Sequence, residues 1–138
     1  SHDHPEGLKG AESVAMAIFL ARQSKTKQQI RDYIEQNYYK IGFTLDEIRG
    51  TYEFNETCQN TVPQAFEAFF EAKDFEDAIR NAVSVGGDSD TLAAITGSIA
   101  EAYFGVPFNL RKKAESYIDN DTFRPIHTWL KRFEKMFP

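Results

Sequence analysis

Two aspartates one residue apart, Asp88 and Asp90, stand between a glycine pair, Gly86-Gly87, and a hydroxyl, Thr91. Carboxylates and a hydroxyl at this spacing offer oxygen donors only, the set that hard cations take. The apolar, alanine-rich run 92–103 that follows reads as a helix. The acidic pair therefore falls on its first turn, where unpaired N–H groups and the positive end of the dipole favour carboxylates. Two readings stay open on spacing alone. One is a helix cap with a spare charge; the other is a magnesium or two-metal site completed by carboxylates from elsewhere. A calcium-binding EF-hand loop is excluded, because its fifth, sixth and twelfth positions would be Leu92, Ala93 and Ile99.

Other chemistry-bearing residues are sparse. His2-Asp3-His4 has a metal-like spacing, but His127 is distant and Cys58 is alone, so zinc is not expected. Cys58 reads as a small apolar packing residue rather than a nucleophile. Glu47, Glu53 and Glu56 lie in an irregular stretch, where they are either general-base candidates or a solvated loop. No Ser/His/Asp triad can be argued from spacing.

The elements that must hold these residues are helical. Residues 6–22 carry Leu8, Ala11, Val14, Ala15, Ile18, Phe19 and Ala21 at a period near 3.6 and predict a first helix with that set inside. Thr26 is a cap for a second, with Ile30, Tyr33, Ile34 and Tyr38 on one face and Gly42 as its stop. Residues 43–61 show no sustained period beyond a short turn at Thr44-Leu45-Asp46-Glu47. Thr61 and Pro63 start a Phe-rich helix, and Asp74 caps the next. Ala93, Ala94, Gly97 and Ala100 mark 88–103 as the buried central helix. Phe104-Gly105-Val106-Pro107 ends it. A helix over 109–118 and a last one from Asp121 or Thr122 follow, the latter with Ile126, Trp129, Leu130, Phe133 and Met136 inside. The prediction is an all-α fold, an orthogonal multi-helix bundle of about seven helices, in one domain spanning 1–138.

The 138 residues carry a formal charge of −5 and no basic face, which argues against a nucleic-acid partner. No apolar run approaches the roughly 20 residues of a membrane span. A single cysteine permits no internal disulfide and suits a reducing cytoplasm. Ser1 in place of an initiating Met is consistent with a truncated or cleaved chain.

The stretch 81–100, with its core Gly86-Gly87-Asp88-Ser89-Asp90-Thr91-Leu92-Ala93-Ala94-Ile95-Thr96-Gly97, resembles the C-terminal signature of the ADP-ribosylglycohydrolase family. The family is also called dinitrogenase-reductase-activating glycohydrolase. Tyr103-Phe104-Gly105-Val106-Pro107, Thr61-Val62-Pro63-Gln64-Ala65-Phe66 after Cys58, and Ser1-His2-Asp3-His4-Pro5-Glu6-Gly7 are similar to further family segments, so the likeness covers most of the chain. It implies an all-helical fold and a site for two magnesium ions. Asp88 and Asp90 would be ligands with a catalytic role, and Thr91 a ligand or a support for one. Gly86 and Gly87 would bring backbone close to the ligand, and His2 would lie near the substrate cleft. The implied reaction is magnesium-dependent hydrolysis of the N- or O-glycosidic bond of ADP-ribosylated proteins or small molecules in the cytoplasm. The family's N-terminal G-D-x-x-G and T-D-D segments do not occur here. The chain therefore corresponds to the C-terminal half of the catalytic domain, to be completed by an N-terminal half or by self-association. The alternative expectation is an inactive helical module that binds ADP-ribose or another protein.

Overall fold

The structure is a computed structural model that describes residues 3–55, 57–118 and 120–136. Among the described residues there are eight α-helices, one 3₁₀ turn (Cys58–Asn60) and no strand, so the all-α expectation holds. The chain forms two compact units, Ser1–Gly105 and Val106–Pro138. No helix among the described residues is long and apolar enough to cross a membrane.

The first unit contains α1 (Pro5–Arg22), α2 (Lys27–Asn37), α3 (Leu45–Ile48), α4 (Val62–Glu71), α5 (Phe75–Val85) and α6 (Ser89–Phe104). Local chemistry sets most of the starts. Thr26 and Thr44 each form a reciprocal capping box, with Gln29 and Glu47 respectively. The Asp74 carboxylate accepts from the Asp77 N–H at 2.8 Å. At α1 the cap is His4, whose Nδ1 accepts from the Glu6 N–H at 3.2 Å, ahead of Pro5.

Helix α6 packs on α1, α4 and α5. Phe66 and Phe69 of α4 are wholly buried, and the Phe69 ring meets Tyr103 edge-on at 5.5 Å. Inside this core the Thr96 hydroxyl donates to the Ala65 carbonyl at 2.9 Å, tying α6 to α4. Thr96→Val is expected to cost about 1–2 kcal/mol, read from the urea midpoint, because the bond is buried. Gly97 lets α5 approach, since a Cβ there would lie 2.9 Å from Ile79. The Lys27 ammonium donates to the Phe70 and Ala72 carbonyls at the end of α4. Burial beside the Phe69 and Phe104 rings lowers its pKa.

Several expectations about faces change. Helix α1 buries Gly10, Ser13, Ala17 and Ala21, while Leu8, Ala11, Ala15 and Phe19 are exposed. Its close neighbours admit small side chains: a Cβ on Gly10 would already lie 3.4 Å from Cys58 and Val62. Ala94 is exposed, and α4, with eight of its ten residues buried, is the more enclosed helix. Helix α2 stops at Asn37, before Gly42, because Tyr39 and Ile41 turn into the core. Tyr39 is buried without a partner for its hydroxyl, and burial, then the nearby Glu6 and Cys58, push its pKa up to about 12.

The second unit contains α7 (Phe108–Glu115) and α8 (Asn120–Met136), the latter running through Pro125. Ile126 and Trp129, expected inside, are exposed. A pair of helices offers too little surface to bury a stripe along a 17-residue helix. The side chains of Leu130, Phe133 and Met136 lie outside the described residues.

Candidate functional site

The turn between α5 and α6 is built on glycine. Gly86 has φ 83° and Gly87 φ 58°, conformations that cost a side-chain-bearing residue roughly 1–2 kcal/mol. At Gly87 space matters as well, since a Cβ would lie 2.6 Å from the Tyr52 ring and 3.2 Å from the Glu53 carbonyl oxygen. The close approach seen at Gly87 is thus to Tyr52, whereas the space around Gly86 is open.

The turn delivers Asp88 to the N-cap position of α6, yet its side chain makes no capping hydrogen bond. Asp90, on the first turn and exposed, accepts from the Thr91 N–H at 2.9 Å. The Asp88 carboxyl lies within hydrogen-bonding reach of Asp90. That contact first, and the Thr91 N–H second, hold the Asp90 carboxyl below its ordinary range. Two carboxylates this close repel unless a proton or a cation sits between them. The pair is therefore not consumed by capping and presents its oxygens at the positive end of a helix. Thr91 is exposed beside it.

The irregular segment expected at 43–61 closes one side of this turn. Arg49 anchors its start: Nε donates to the Ser84 hydroxyl at 2.9 Å and Nη2 to Asn81 at 3.4 Å. The Tyr52 hydroxyl donates to the Asn60 carbonyl at 2.8 Å. Burial raises the Tyr52 pKa, the Thr61 contact lowers it, and the Asp88 charge raises it further, so Tyr52 and Asp88 share one neighbourhood. Thr61, expected as a side-chain cap, instead donates its hydroxyl to the Asn55 carbonyl at 3.1 Å. Thr51, Tyr52, Glu53, Asn55, Asn60 and Gln64 line a polar cleft of 290 Å³. The Gln64 Oε1 is buried there without a partner.

The three glutamates separate. Glu47 caps α3, its carboxylate accepting from the Thr44 N–H at 2.7 Å. Glu53 is exposed at the cleft. Glu56 and His2 lie outside the described residues. Cys58 is half-buried against the core, packed as expected. Among the described residues no cluster of three or more His, Cys, Asp or Glu side chains could hold a metal. Tyr52 and Arg49 were not singled out from sequence. Their partners lie more than thirty positions away, where no periodicity points to them.

A sequence profile of the family described as ADP-ribosylglycohydrolase matches residues 1–133. Human ADP-ribosylhydrolase ARH3 is 27% identical over 133 residues, covering 86% of this chain and 37% of the human protein. An uncharacterized protein of Archaeoglobus fulgidus is 47% identical over 49 residues, 35% of this chain and 16% of its own length. The chain thus spans well under half of each of these relatives. No solved structure matches.

Proposed function

Because the chain belongs to the ADP-ribosylglycohydrolase family, we propose that it supplies part of the active site of a magnesium-dependent hydrolase. The enzyme would act on the N- or O-glycosidic bond of an ADP-ribosylated protein or small molecule. The observation that carries this reading is the contact between the Asp88 and Asp90 carboxyls at the open head of α6, with neither spent on capping Asp88's own helix. Such a pair fits a hard cation. Asp88 and Asp90 would hold magnesium, with Thr91 as a ligand or a support for one. When bound, the ion would supply fixed positive charge that orients the ribose hydroxyls.

The chain's own groups do the rest. Gly86 and Gly87 keep side-chain bulk away from the turn, so the substrate can approach the backbone there. His2 is kept as a substrate-binding residue on family resemblance. Glu53, exposed and beside the turn, is the glutamate best placed to take a proton from the attacking water. In the hydrolysis, the bond from the anomeric carbon to the departing nitrogen or oxygen breaks. The water oxygen ends on that carbon and a proton on the leaving atom.

Two carboxylates and one hydroxyl leave several of magnesium's six positions to water or to another segment. The same shortage, with no third acidic or His ligand among the described residues, supports the second reading, an inactive helical module. Calorimetric titration separates the two. Magnesium is expected to bind in the millimolar range, and Asp88→Asn with Asp90→Asn to weaken binding by roughly 10- to 100-fold. No heat at millimolar magnesium favours the inert module. ADP-ribose release from a modified arginine or serine, if unchanged by the double substitution, removes both aspartates from the mechanism.

A further inference from the structure

We infer that the outer face of α1 is an interface between two copies of this chain. The helix is apolar on two opposite sides. Gly10, Ser13, Ala17 and Ala21 face the core. Leu8, Ala11, Ala15 and Phe19 face outward, with Leu8 55% and Phe19 56% exposed. Steps of three, four and four residues hold those four within an arc of roughly 80°. A helix apolar on both sides is one that is covered on both sides, and within the first unit only the inner side is.

The outer stripe is complementary to itself. Two antiparallel copies, related by a two-fold axis near positions 13 and 14, set Leu8 against Phe19 of the partner subunit and Ala11 against Ala15 of the partner subunit. The large side chains meet at the two ends, and the alanines in the middle let the backbones close up. Charge agrees with this register. Arg22, in the last turn, falls opposite the acidic start of the partner helix, between positions 3 and 6, where this chain has Asp3 and Glu6. The antiparallel helix dipoles also attract. The stripe is about 16 Å long, at the small end of specific interfaces, so the dimer is weak and depends on concentration. The inference stands apart from the proposed hydrolase activity and uses none of its residues.

Sedimentation velocity of the chain, run from low micromolar to about 300 µM, tests it. The expected result is a rise from the monomer to twice its mass. Leu8→Asp with Phe19→Asp should abolish that rise while leaving the helical circular dichroism unchanged, since both side chains are exposed. In a Cys58→Ser background, Ala11→Cys with Ala15→Cys should yield a covalent dimer on mild oxidation, whatever the aspartate variant does. A wild-type chain that stays monomeric across the range overturns the inference and leaves the face to another polypeptide. A dimer that survives the aspartate substitutions overturns it too.

Discussion

Arg31→Met is expected to lower the unfolding free energy by about 3–5 kcal/mol near neutral pH, because it leaves a buried carboxylate without its counter-ion. Glu67 sits on the inner side of α4 and is only 4% exposed. The Arg31 Nη2 lies 2.6 Å from Glu67 Oε2, and its guanidinium stacks over the Phe70 ring at 4.4 Å. Two further carboxylates face the pair, Glu35 at 3.5 Å from Arg31 and Glu71 beside Glu67. Burial raises the Glu67 pKa more than Arg31 lowers it, so the net direction is up. A raised carboxylate pKa disfavours the charged form in the fold. The stability tied to this group is thus fully present below its unfolded pKa and is lost as pH rises through its folded one. Removing Arg31 raises that pKa further. The variant's deficit should therefore shrink as pH falls and Glu67 takes up a proton. Urea titrations at pH ~7 and ~5 check the sign. Arg31→Met with Glu67→Met should recover most of the loss, since a well-packed apolar pair replaces a buried ionic one at little cost.

The second large effect is expected at the candidate site. Gly87→Ala should destabilise by about 2–4 kcal/mol, combining backbone strain at φ 58° with overlap onto the Tyr52 ring. The two parts can be separated. In a Tyr52→Ala background the overlap has gone, and Gly87→Ala should then add only the strain, about 1–2 kcal/mol. Equal costs in both backgrounds would show that Tyr52 does not press on the turn. Gly86 has open space around it, so Gly86→Ala should report backbone strain alone in either background.

These contacts mark where sequence reading succeeds and where it stops. Thr26, Thr44 and Asp74 were legible as helix starts because capping is settled within three residues. The acidic pair was legible as a motif, but the bond-free side chain of Asp88 was not, since a cap and a ligand look alike at that spacing. Tyr52 and Arg49 were illegible because tertiary contact alone fixes a segment without periodicity. In α1 the pattern is apolar nearly all round, so periodicity named Leu8 and Phe19 as core when the inner face takes only small residues.

Helices α4, α5 and α6 follow one another along the chain, and each packs on the other two. Most of the core can thus assemble across short loops, without waiting for distant chain to return. Folding should start in this run of about forty residues, with transition-state contacts concentrated there. Helix α1, whose main partner α6 lies far along the chain, should dock late. Core substitutions in α4 should therefore slow refolding, whereas truncations on the inner face of α1 should mainly hasten unfolding.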